Sequence, residues 1–252
     1  MNLLIISDLH IGKNDLFGTF GWECHEFIKT LEYFRYSCNI DKIILNGDIY
    51  ELYKYPLEEI QKANPEICAY LQRDYFYYIR GNHDLTNMEG SENYRIINSK
   101  GQSIYMEHGH NADFLNGTHI GRIIGKVGFY ILKFFTSSKS IMKTYRKIVE
   151  YDDEVNRIPK KYNSYKYLKF ALKLLKQHDL VILGHTHKIE THKTYYLNQK
   201  KRYLNSGSCS LGRFQAILLD TETLWYETIK IKKGEMPSIP YTKESLRMPV
   251  PA

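Results

Sequence analysis

Five short segments gather side chains that bind metals or move protons: Asp8-Leu9-His10, Gly47-Asp48-Ile49-Tyr50-Glu51, Gly81-Asn82-His83-Asp84, His108-Gly109-His110 and Gly184-His185-Thr186-His187. One aspartate or histidine of this kind is usually a satisfied hydrogen-bonding residue. Five such segments carry a different meaning, because the glycine beside four of them permits tight turns that bring separate side chains onto one point. Carboxylates, imidazoles and one amide, without a thiolate, form a donor set suited to Mn²⁺, Fe or Zn²⁺ rather than to soft copper or an iron–sulfur centre.

Short apolar runs must position these segments. Residues 2–7, 42–46 and 75–79 read as strands, each ending in a polar turn, and helical spacing of apolar residues marks 22–36 and 57–71, the latter broken at Pro65. Strand–helix–strand alternation predicts a parallel sheet with right-handed crossovers, whose ligands sit at the carboxyl ends of the strands. Asp8, Asp48 and Asn82 fall at those ends. Strands are also expected at 94–98 and 103–107, helices over about 114–176, and further strands at 180–183, 194–197, 203–206, 214–220 and 224–231, the last four as an antiparallel meander.

The 252 residues carry 35 Lys and Arg against 28 Asp and Glu, a formal charge of +7 that favours anionic partners. A hydrophobic fraction of 43% with 25% charged residues excludes collagen-like, low-complexity and wholly disordered chains. Cys24, Cys38, Cys68 and Cys209 include no Cys-x-x-Cys pair and are expected as reduced, mostly buried thiols of a cytoplasmic protein. Leu3-Leu4-Ile5-Ile6 falls short of the roughly 7–15 apolar residues of a signal peptide. Arg122, Lys126 and Lys133 interrupt the longer apolar stretch at 120–135, which leaves it short of the roughly 20 residues of a spanning helix. The charge is uneven: residues 119–176 hold 14 Lys and Arg and four acidic residues, a balance of +10, while the remainder holds 21 basic and 24 acidic residues.

In their order, the five segments resemble the signature of the calcineurin-like metallophosphoesterases: Asp-x-His, Gly-Asp, Gly-Asn-His-Asp/Glu, His and Gly-His-x-His. The resemblance implies an α+β or α/β fold, a four-layer α-β-β-α sandwich of two mixed sheets, and a hydrolase of phosphoester or pyrophosphate bonds. It further implies a dinuclear centre in which Asp8, His10 and His187 hold one divalent ion, Asn82, His108 and His185 hold the other, and Asp48 bridges both. Mn²⁺ is the expected metal, with Fe or Zn²⁺ as alternatives. Such a pair neutralises a phosphate and lowers the pKa of the water between its ions. By the same resemblance His83 is no ligand and faces the leaving-group oxygen as an acid, with Glu51 in the position that orients it. His110, close to an implied ligand, reads either as a phosphate contact or as support. His25, His119, His178 and His192 lie outside the segments and read as structural.

One domain is expected over residues 1–233, with a basic helical insertion at 119–176 and a Pro-containing tail at 234–252. As a helix, residues 120–135 would set Arg122, Lys126 and Lys133 within about 40° of one another beside Phe129, the pattern of an interfacial face. The insertion is therefore expected to act as a lid over an anionic, partly apolar substrate or to touch a membrane surface, the alternative being a solvated cap. This layout is similar to that of UDP-2,3-diacylglucosamine pyrophosphatases, which act on a nucleotide-linked lipid, although that branch has Arg in place of His83 and Asp in place of His110. A phosphomonoester, phosphodiester or pyrophosphate is the expected substrate. A nuclease is the main alternative, given the basic segment, and a non-catalytic scaffold would have no need of the retained ligand types.

Overall fold

The protein is described as a computed structural model covering residues 1–15, 17–84, 90–112, 127, 143, 144, 147 and 161–237. The expected helix at 120–135, His119, most of the basic insertion and the tail after residue 237 lie outside the described residues.

Strand β1 (Asn2–Ile6) is buried along nearly its whole length. It lies at the centre of a sheet covered on both faces, which is why its sequence is an unbroken apolar run rather than an alternation. It pairs in parallel with β2 (Lys42–Asn46), and β2 pairs in parallel with β3 (Phe76–Ile79). The crossovers are α1 (Cys24–Ser37) and the pair α2 (Leu57–Ala63) and α3 (Pro65–Tyr70). Pro65 begins α3, where its missing N–H costs nothing. As an edge strand, β3 is half-buried over Phe76–Tyr78.

The second sheet contains β4 (Tyr94–Ile97), β5 (Ser103–Met106), β6 (Leu180–Leu183), β7 (Ile189–Tyr196) and β8 (Gln199–Ser206), in the order β4-β5-β6-β8-β7. Strands β5, β6 and β8 run parallel, and the two edge strands are antiparallel to their neighbours. The last strands, β9 (Arg213–Asp220) and β10 (Trp225–Lys232), return to the first sheet, where β9 lies antiparallel to β1. The expected four-strand meander is thus two hairpins in different sheets. The physical reason lies in β8: Tyr203 packs outward under a helix while Leu204 packs inward, so β8 needs cover on both faces and takes an interior place beside β6.

Leu3, Ile5, Ile44, Ile104, Ile182 and Leu204 fill the space between the sheets. Leu4, Ile6 and Ile43 pack with Phe27 and Phe34 of α1, and Val181 and Tyr203 pack with Ala171 of α4 (Lys161–Leu174). Each such buried Leu or Ile side chain is worth about 1.5–3 kcal/mol. The result is two mixed five-stranded sheets between helical layers, the sandwich expected.

Candidate metal centre

Strands β1, β2, β3, β5 and β6 each run directly into one of the five segments, and backbone hydrogen bonds tie the segments together. Asp8 N–H donates to Gly47 O at 2.9 Å, His10 N–H to Asp48 O at 3.0 Å, and Gly184 N–H to His108 O at 2.9 Å. Between the sheets, His185 N–H donates to Asp8 Oδ2 at 3.1 Å. Five residues of the site adopt left-handed backbone: Asp8 (φ 55°), His10 (50°), Asp48 (56°), His185 (69°) and His187 (55°). Such geometry is costly away from glycine and persists where surrounding bonds over-determine it. At Gly81 any Cβ would collide with the Asp48 carboxylate, and at Gly47, itself left-handed, with the His108 ring.

Three groups of ligating atoms converge to within 4.8 Å: Asp8, His10 and His187; Asp48, His108 and His185; and His10, Asp48 and His83. In the first, His10 Nε2 and His187 Nε2 face each other at 3.3 Å, and Asp8 Oδ1 lies 3.1 Å from His187 Nε2. In the second, His108 Nε2 lies 3.1 Å from Asp48 Oδ2 while its Nδ1–H donates to Asn46 O at 2.9 Å. That bond fixes the tautomer that leaves Nε2 for a cation. Asn82 is buried, and its Oδ1 has no hydrogen-bond partner. Its two neighbours both meet Asp48: Gly81 by close packing and His83 through an N–H bond of 2.8 Å to Oδ1.

His83 falls in the third group by proximity and is tied to a carboxylate through its ring. His83 Nδ1–H donates to Glu51 Oε1 at 2.6 Å, and 22% of its side chain is exposed. Glu51 is buried and serves several partners, with Oε2 3.4 Å from His10 Nδ1 and 3.2 Å from Lys54 Nζ. Tyr53 packs its ring 4.2 Å from that of His83.

The electrostatics follow from these contacts. Burial opposes charge on His83, but Glu51 and Asp48 outweigh it and raise its pKa to about 9. Burial would raise Asp8, yet His187 and His108 hold it at about 2. Glu51 is held well below the carboxylate range against burial, by His83 and then Lys54. His108 rises to about 10 against burial because Asp48 and Asp8 face it, whereas burial and then His108 lower His185 to about 3. Carboxylates and imidazoles crowd one spot, and buried Asn82, whose Oδ1 has no hydrogen-bond partner, sits between two residues that contact Asp48. A donor set of this kind fits divalent cations.

Several supporting residues carried no assigned role in the sequence reading. Asp84, fully buried, accepts N–H bonds from Ile49 (3.0 Å), Tyr50 (2.8 Å) and Gly81 (3.2 Å), locking the second segment to the third. Burial and then Asp48 raise its pKa to about 6. Ser208 Oγ donates to Asp8 O at 3.1 Å, Asn205 Nδ2 donates to Gly184 O at 2.8 Å, and Ser7 and Ser206 share a hydroxyl hydrogen bond of 2.7 Å. The only local signal for these was a Ser- and Gly-rich loop. His110 is buried 5.7 Å from the His108 ring, and Tyr167 of α4 lies 5.6 Å from the His185 ring. His178 stacks on Tyr105 and His192 on Tyr203, while His25 is exposed on α1.

This fold and site define a metal-binding hydrolase of phosphoesters. The chain belongs to the calcineurin-like phosphoesterase family, which it matches over residues 1–189. Among solved structures it is similar to a dimetal phosphatase from Danio rerio (10% identity, TM-score 0.48, 93% of this chain and 99% of that one). It is also similar to zinc-bound Vps29 from Entamoeba histolytica (16% identity, TM-score 0.44, 92% and 99%). A predicted phosphoesterase from Streptococcus pneumoniae gives 14% identity and a TM-score of 0.40 over 92% and 88%. No curated protein matches the chain. Among the described residues, no helix is long and apolar enough to cross a membrane.

Proposed function

We propose that the chain is a dinuclear phosphoester hydrolase in which Asp8, His10 and His187 hold one ion, Asn82, His108 and His185 hold the second, and Asp48 is shared. The observation that carries this reading is the convergence of two Asp/His groups beside a charged histidine. When bound, two divalent ions, Mn²⁺ first and Fe or Zn²⁺ as alternatives, supply Lewis acidity toward phosphoryl oxygens and an acidic water. The chain's own residues do the rest. Glu51 holds the Nδ1 proton of His83, so Nε2 is left to donate to the leaving-group oxygen. Asp84 keeps the Asp48 and His83 segments in register through its three backbone contacts.

We take residues 1–233 as one catalytic unit, because β9 and β10 complete the first sheet. The basic segment at 119–176 is proposed as a lid that gathers an anionic phosphomonoester, phosphodiester or pyrophosphate, a nucleotide-linked lipid being one candidate and peripheral membrane contact the corollary of that candidate. Four free cysteines suit a reducing cytoplasm. The +10 balance of that segment also favours a second reading, a nucleic-acid backbone as substrate. The test is a Mn²⁺-supplemented panel of phosphomonoesters, diesters, nucleotide-sugar pyrophosphates and oligonucleotides. Turnover of at least one class, lost on chelation, is the expected result; metal-independent turnover would sink the dinuclear reading. Oligonucleotide affinity that falls steeply with salt would move the substrate to nucleic acid.

A further inference from the structure

Far from the metal centre, the β7–β8 hairpin ends in three consecutive exposed apolar residues, Tyr195 (72%), Tyr196 (38%) and Leu197 (81%). Tyr196 pairs with Gln199, so the loop is the two residues Leu197 and Asn198, with φ of 49° and 62°. Both angles are positive, as in a type I′ turn, whose preferred sequence is Asn-Gly. A leucine there meets the steric penalty of the left-handed region and gains no core contact in return. Neither folding nor solubility accounts for it.

The charged residues of the hairpin's outer part are all basic. Residues 191–202 contain no Asp or Glu, and Lys193 and Lys200 are exposed beside the tip. Lys201 is engaged by Asp179 at 2.7 Å, and Arg202 donates to Leu224 O. Strand β7 begins two residues after His187, and Lys193 and the tip lie roughly 13 Å and 25 Å along it, which sets the tip apart from the candidate metal centre. A two-residue tip offers a protein partner far less than the roughly 800 Å² per side of a standard interface. A bilayer asks only for a few interfacial aromatics, an apolar residue and flanking cations.

We propose that the β7–β8 tip docks the protein on an anionic lipid bilayer, with Tyr195, Tyr196 and Leu197 at the headgroup boundary and Lys193 and Lys200 against lipid phosphates. The inference stands apart from the phosphoesterase reading. It is tested by flotation of the full chain with phosphatidylcholine vesicles, with and without phosphatidylserine. Binding that requires phosphatidylserine is expected, with Lys193→Gln and Lys200→Gln each lowering it about fivefold. Replacing the turn by Leu197→Asn with Asn198→Gly is expected to lower binding while keeping or raising the melting temperature, opposite directions that a purely structural role would not produce. Tyr195→Ser provides a second route should the turn variant fold poorly. Turnover of a soluble phosphoester should be unchanged in every tip variant, which separates failure of docking from failure of the catalytic assignment. The proposal is overturned if the parent chain ignores anionic vesicles, if the tip variants bind them equally well, or if sedimentation shows a dimer that the tip variants dissolve.

Discussion

The pocket of Asp8, His10 and His187 and the pocket of Asp48, His108 and His185 use the same residue types but are anchored differently. In the second, His108 is pinned to the main chain through the Asn46 carbonyl and lies against Gly47, with Tyr167 beside His185. In the first, His187 keeps 25% of its side chain exposed, and His10 neighbours a carboxylate, Glu51, that also holds His83. One half has a histidine tied directly to the main chain. The other is wired to the group proposed to protonate the leaving oxygen, so a disturbance there should reach the chemistry as well as the metal.

The largest effect is expected from Asp48→Asn, which touches both halves: a turnover loss of about 10³-fold, read from steady-state rates alongside metal content. Near-parental turnover in that variant would break the shared-carboxylate assignment. His83→Ala should lower turnover by about 10²-fold, more for an alkyl than for a nitrophenyl leaving group, with both ions retained. If the two substrates suffer equally, His83 is not the proton donor. Glu51→Gln should cost about tenfold and weaken one ion more than the other in chelator titrations; equal weakening would erase the distinction between the halves. The smallest effect is on stability. His108→Ala leaves the buried Asn46 carbonyl unpaired and should cost about 1–3 kcal/mol in urea unfolding, whereas His187→Ala, at the open side, should cost about 0.5 kcal/mol or less.

How much could be read beforehand varied with burial. Strands β2 and β6 coincide with their sequence limits because each is an apolar run bounded by turn residues. Strand β7 starts at Ile189, well before the expected 194, since an edge strand of sequence IETHKTYY offers little apolar signal. That β9 leaves its neighbour β8 for the other sheet is decided by long-range packing, which local pattern does not record. At the site, the residue types and their order were legible as five segments. The left-handed backbone at Asp8, His10, Asp48, His185 and His187 was not, because such a residue carries no mark of its φ. The support given by Asp84, Asn205 and Ser208 depends on contacts across the fold, which neither the signature segment around Asp84 nor the Ser- and Gly-rich loop around the other two reveals.

The antiparallel pairing of β1 with β9 has a consequence for biosynthesis. The five ligand-bearing segments leave the ribosome before β9, yet β9 closes the open edge of β1, and Ser208, just ahead of it, holds the Asp8 carbonyl. A nascent chain that has just emerged past His187 owns every proposed ligand without β9 beside β1 and without Ser208 on the Asp8 carbonyl. On the proposed assignment, a chain truncated after β8 is expected to keep every proposed ligand and yet bind metal more weakly than the full chain, as metal titration of the two would read.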